Sequence, residues 1–78
     1  MTTLTFHVVL NKGFQSEAAM HRIATAAGLT NVNEERARFF DFSIITAQGA
    51  PSARQVLEKM PEVKSVQLDG EKRAFSSG

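Results

Sequence analysis

The sequence contains no cysteine, which removes disulfides, thiolate metal sites and a cysteine nucleophile together. It has no excess of charge of either sign. Nine basic residues against eight acidic ones leave a net charge of +1, too weak a field to mark nucleic acid or an acidic membrane as the main partner. No apolar run approaches the roughly 20 residues that a bilayer-spanning helix needs. The opening MTTLTFHVVLNKG lacks both a basic n-region and a long apolar h-region. The expectation is therefore a chain without a secretory signal, cytoplasmic rather than exported. No glycine-rich phosphate loop, internal repeat or low-complexity stretch is visible. With 78 residues, 42% of them hydrophobic and 22% charged, the chain reads as one small globular domain. A chain of this length buries only about 60% of the surface its unfolded form exposes, so the core is thin.

What is present is a series of periodic segments. Leu4, Phe6, Val8 and Leu10 alternate as on a half-buried strand, and Asn11-Lys12-Gly13 ends the run with turn chemistry. Ser16 is a candidate N-cap with Glu17 behind it. Met20, Ile23, Ala24 and Ala27 follow at helical spacing, and Gly28 sits where a left-handed closing residue is wanted. Residues 30–46 read as two strands, 30–35 and 37–46, with Phe40, Phe42 and Ile44 sharing one face. Ser52 and Gln55 resemble a capping box for a helix carrying Ala53, Val56, Leu57 and Met60, which Pro61 stops. Val63 to Leu68 is a final strand.

The order β-α-β-β-α-β predicts an α+β, ferredoxin-like domain: a four-stranded antiparallel sheet with both helices on one face. The ordered core spans about residues 3–70, with an extended tail at 71–78. The core would consist of Leu4, Phe6, Val8, Met20, Ile23, Phe40, Phe42, Ile44, Val56, Leu57 and Val66.

Catalysis finds little support. His7 and His21 have no spacing that converges on a metal, so neither a metal nor any other cofactor is expected. The serines that precede the helices are explained by capping. Arg38-Phe39-Phe40-Asp41-Phe42 invites comparison with the aromatic strand of RNA-recognition domains. Outward Phe40 and Phe42 would bury Asp41 without a partner, which costs several kcal/mol, and the motif's glycine is missing. The opposite register follows. It places His7, Val9, Phe39, Asp41 and Ile45 on an uncovered sheet face, together with Thr5, Ser43 and Gln67. A face so poor in charge favours a protein partner.

The C-terminal third carries a more specific pattern. Pro61, Val63, Val66, Asp69, Ala74 and Phe75, with their spacing, resemble the end of the subtilisin propeptide family, which includes free-standing inhibitors of subtilisin-like serine proteases. Phe6 to Gly13 is similar to that family's opening strand, and Gly28 to its glycine after the first helix. The resemblance implies a protease inhibitor, with folding assistance as a related role, that packs its open sheet face on two protease helices. Asp69 would cap one helix N-terminus and Gln67 the other. Lys72, Arg73, Ala74 and Phe75 would lie in the active-site cleft as a product-like strand, with Phe75 in the primary specificity pocket. Gln67 and Leu68 stand where the family has acids, and Lys72 where an apolar side chain is preferred. A chain running from Met1 to Gly78 is expected to be a stand-alone inhibitor rather than an excised propeptide. The alternative is a small ligand-binding or regulatory module of the same fold, which could be a homodimer through the sheet face.

Overall fold

The computed structural model describes residues 3–69. Strand β1 (Leu4–Leu10) is followed by helices α1 (Glu17–Ala27) and α2 (Glu34–Phe39). Strand β2 (Ile44–Gly49), helix α3 (Ala53–Lys59) and strand β3 (Val63–Leu68) complete the order. The strands form one antiparallel three-stranded sheet in the order β2-β1-β3. Helices α1 and α3 pack against each other and against one face of that sheet.

The alternation in β1 does what period 2 requires: Phe6, Val8 and Leu10 are buried, while His7 and Val9 point to the opposite face. Helix α1 begins and ends with the chemistry its sequence announces. The Ser16 side chain accepts the Ala19 N–H at 3.2 Å, and Gly28 closes the helix at φ 68. Ala19, Met20 and Ile23 turn inward.

In α3 the buried pair is Ala53 and Leu57, spaced i, i+4, whereas Val56 is 41% exposed. Ser52 is itself in helical conformation (φ −67, ψ −18), so its side chain makes no cap and the expected capping box is absent. Met60, forced out of the helical region by the following Pro61, ends the helix at ψ 131.

The central segment departs from the expected pair of strands. Asn33 accepts the Arg36 N–H at 3.0 Å, Glu34 and Glu35 occupy the first turn, and Arg36 and Arg38 the last. Cap and dipole thus favour the short helix α2 over an extended strand. What remains of the expected strand at 30–35 is one antiparallel bridge, Thr30 to Gln48. The four-stranded sheet is therefore corrected to three strands, and the ferredoxin-like arrangement is met only loosely.

The second expected strand starts late. Phe40 closes α2, and Asp41 and Phe42 both adopt left-handed backbone, φ 54 and φ 59. Two consecutive left-handed residues reset the phase before β2 begins. Ile45 and Ala47 consequently enter the core, and Ile44 lies on the opposite face. The expected core membership of Phe40, Ile44 and Val56 fails: Phe40 and Val56 are exposed and Ile44 is half-buried. Phe42 packs against the core without being enclosed.

A second phase change sits in β3. Val63 and Val66 are three apart, so a regular strand would put them on opposite faces, yet both are buried. A register shift between Val9 and Leu10 resolves this: Val9 pairs with Ser65 and Leu10 with Val63, skipping Lys64. The lysine is left exposed. Phe6, Val8, Leu10, Met20, Ile23, Ile45, Leu57 and Val66 then meet between sheet and helices.

Candidate functional site

The face of the sheet opposite α1 and α3 is built from the residues that alternate away from the core. Across its middle, Thr46, His7 and Gln67 stand in one row, and Ile44, Val9 and Ser65 in the next. Helix α2 packs beside β2 and brings Arg36 to the rim. The result is an open concavity of about 230 Å³ lined by His7, Val9, Arg36, Ile44, Gln67, Leu68 and Asp69.

His7 is the hub of the polar contacts. Its Nδ1 lies 3.1 Å from the Thr46 hydroxyl and its Nε2 lies 3.3 Å from Asp69 Oδ1. A carboxylate only accepts, so Nε2 donates to Asp69, and in the neutral ring Nδ1 accepts from Thr46. Asp69 is itself positioned by the backbone, its N–H donating to the Thr5 carbonyl at 2.8 Å. The ring thus has a hydrogen-bond partner at each nitrogen.

Hydroxyl, imidazole and carboxylate stand here in the order of a nucleophilic triad. Acyl transfer also needs paired N–H donors aimed at a developing oxyanion. None of the lining residues is a glycine, and the N–H of Arg36, on the short helix, is already taken by Asn33. Among the described residues no group of three or more His, Cys, Asp or Glu side chains could hold a metal ion. No described helix is long and apolar enough to cross a membrane.

Of the side chains expected on this face, His7, Val9, Gln67 and Asp69 are there. Ser43 precedes β2, and three others are not on the face either. Phe39 is the last residue of α2 and is 81% exposed, stacked edge-on against Phe40 at 5.1 Å. Asp41 lies in the left-handed turn between α2 and β2. Ile45 is fully buried in the core on the other side of the sheet. The physical reason is common to all three: α2 replaces the strand that would have carried Phe39 and Asp41, and the turn after it inverts the phase of Ile45. The comparison with RNA-recognition strands loses its basis for the same reason, because Phe40 and Phe42 belong to no strand. Lys72, Arg73, Ala74 and Phe75 lie outside the described residues.

Arg36, Ile44 and Leu68 belong to the site without having been expected there. For Arg36 a signal existed, since it precedes Phe39 and Phe40 at i+3 and i+4, the spacing of one helix face. Its guanidinium lies 5.3 Å from the Phe40 ring centroid. Compared with protein-family models, with curated proteins and with solved structures, the chain shows no significant match.

Proposed function

We propose that this chain is a proteinaceous inhibitor of a subtilisin-like serine protease that docks through the open sheet face and places its C-terminal segment in the active-site cleft. The observation that carries the reading is the one-sided sheet: α1 and α3 cover one face, and the other presents Val9, Ile44, His7 and Gln67. Strand β3 ends at Leu68, and Asp69 follows it at the start of the segment whose sequence resembles a propeptide end. The Asp69 side chain is 69% exposed, so its carboxylate is accessible to a partner helix N-terminus as well as to His7. Face and tail together would act as two linked contacts, the second held near its site by the first. Assistance in folding the protease would use the same face, by presenting a preformed surface to two of its helices.

The deciding experiment titrates subtilisin activity with the intact chain and with a version ending at Glu71. Competitive inhibition by the first, weakened by about two orders of magnitude or more in the second, is the expected result. A folded intact chain that leaves the protease fully active would overturn the proposal.

A further inference from the structure

Phe39 is the most exposed large apolar side chain among the described residues, at 81%, and Phe40 beside it is exposed as well. The two rings meet edge to face with centroids 5.1 Å apart, and the Arg36 guanidinium lies 5.3 Å from the Phe40 centroid. One chain of contacts therefore runs from Phe39 through Phe40 to Arg36. A single apolar side chain in water is ordinary. This one is an aromatic ring held by its neighbour at the end of a helix, the form that anchors of protein contacts take.

The same chain carries a hollow that suits such a ring. The floor of the open-face concavity is apolar at Val9, Ile44 and Leu68, and its volume is about 230 Å³. An apolar cavity of about 150 Å³ admits benzene, so a phenyl group fits here. The sites of drug-sized ligands, about 300–1,000 Å³, are larger. Phe39 is not among the residues lining the concavity of its own chain. Arg36 belongs to both features, since it lines the concavity and lies over Phe40. Ring pair and hollow are thus neighbours on the α2 side of the sheet.

A projecting ring and a hollow that lie side by side on one surface can be exchanged between two copies about a single two-fold axis. Both contacts then form at once and the assembly closes. A net charge of +1 sets up little repulsion between copies. We infer that the occupant of the concavity is a second copy of this chain, with Phe39 of each copy seated on Val9, Ile44 and Leu68 of the other. One ring per copy makes a small contact of the weak, reversible class. The inference is independent of the protease reading, since self-association can be followed with no protease present. The two partners would use the same face and exclude each other, and in a dilute inhibition assay the chain is monomeric.

The test is sedimentation equilibrium of the intact chain from about 10 µM to about 1 mM. The average mass should rise with concentration from the 8.5 kDa of one chain towards twice that value. Phe39→Ala, at an exposed position, and Val9→Lys should each raise the dissociation constant about tenfold or more while the chain stays folded. In a mixture of isotope-labelled and unlabelled intact chain, intermolecular NOEs should join the Phe39 ring to the methyls of Val9, Ile44 or Leu68. A chain that stays monomeric at about 1 mM overturns the inference. A dimer undiminished in folded Phe39→Ala does so as well, as does one whose intermolecular NOEs join the two β3 strands and omit Phe39.

Discussion

Arg22 on α1 reaches the Glu62 carboxylate at 3.2 Å, and the two ends of this ion pair differ sharply in exposure, 63% for the arginine and 8% for the glutamate. Glu62 precedes β3, and its carbonyl also accepts the Asn11 N–H at 2.8 Å. The pair therefore ties the first helix to the turn in front of the last strand. Removing Arg22 leaves a buried carboxylate without its cation, whereas removing Glu62 leaves only a solvated arginine. We expect Arg22→Ala to destabilise the fold by about 1–3 kcal/mol, with Arg22→Lys costing less. Urea unfolding of both variants measures this. Equal stability of Arg22→Ala and the parent would show that water already serves Glu62.

Leu57 and Val56 are neighbours in sequence and opposites in packing. Leu57 is fully buried and Val56 is 41% exposed. Leu57→Ala should cost about 2–5 kcal/mol, which in a domain this small approaches the whole stability. Val56→Ala should cost well under about 1 kcal/mol. Thermal unfolding distinguishes the two, and a larger loss at Val56 would mean that α3 is rotated from its described orientation.

Two glycines differ in why they are needed. Gly28 has φ 68 with open space around its missing Cβ, so Gly28→Ala meets only backbone strain, about 1 kcal/mol. Gly49 has ordinary backbone, but an added Cβ would lie 2.9 Å from Leu29 Cδ2 and 3.6 Å from Phe6 Cε2. Gly49→Ala should therefore shift the Leu29 side chain, and the methyl resonances of Leu29 should move while those of Ile23 do not. Unchanged Leu29 methyls would place the two residues farther apart than described.

Val9 and Phe39 separate the open face from the exposed aromatic end of α2. Val9→Lys puts a charge at the centre of the face without touching the core, and should weaken protease inhibition by about tenfold or more. Phe39→Ala should leave both inhibition and stability close to the parent, within about 0.5 kcal/mol for stability. Inhibition assays on the two folded variants test the location of the contact, and the reverse ranking would move it to α2.

The elements legible in the sequence were those whose ends and faces agree. In β1 the alternation and the Asn11-Lys12-Gly13 turn point the same way, and in α1 the Ser16 cap, apolar stripe and Gly28 closure do so too. The region from Thr30 to Thr46 carries two signals in conflict. Its aromatic and aliphatic residues alternate like a strand, while Asn33, Glu34, Glu35, Arg36 and Arg38 form a short helix with satisfied ends. The helix forms with its first turn capped by Asn33 and its charges matched to the dipole. Neither the left-handed pair Asp41 and Phe42 nor the skipped Lys64 has a local signature, since both are solutions to tertiary packing. For the site, β1 and β3 supplied His7, Val9, Gln67 and Asp69 legibly. The misread helix hid Arg36 and displaced Phe39, Asp41 and Ile45.

The bridge at Thr30 has a consequence at a larger scale than the site. On the outer side of β2, the Gln48 N–H and carbonyl are both engaged by Thr30, and the Thr46 carbonyl accepts from Asn33. That border of the sheet is sealed by its own chain. Among the described residues the outer side of β3 has no strand partner, and the exposed Lys64 stands on that strand. Among the described residues, then, only the β3 border is left for an added strand, and two copies meeting there would present their β2 borders, already engaged by Thr30 and Asn33, outward.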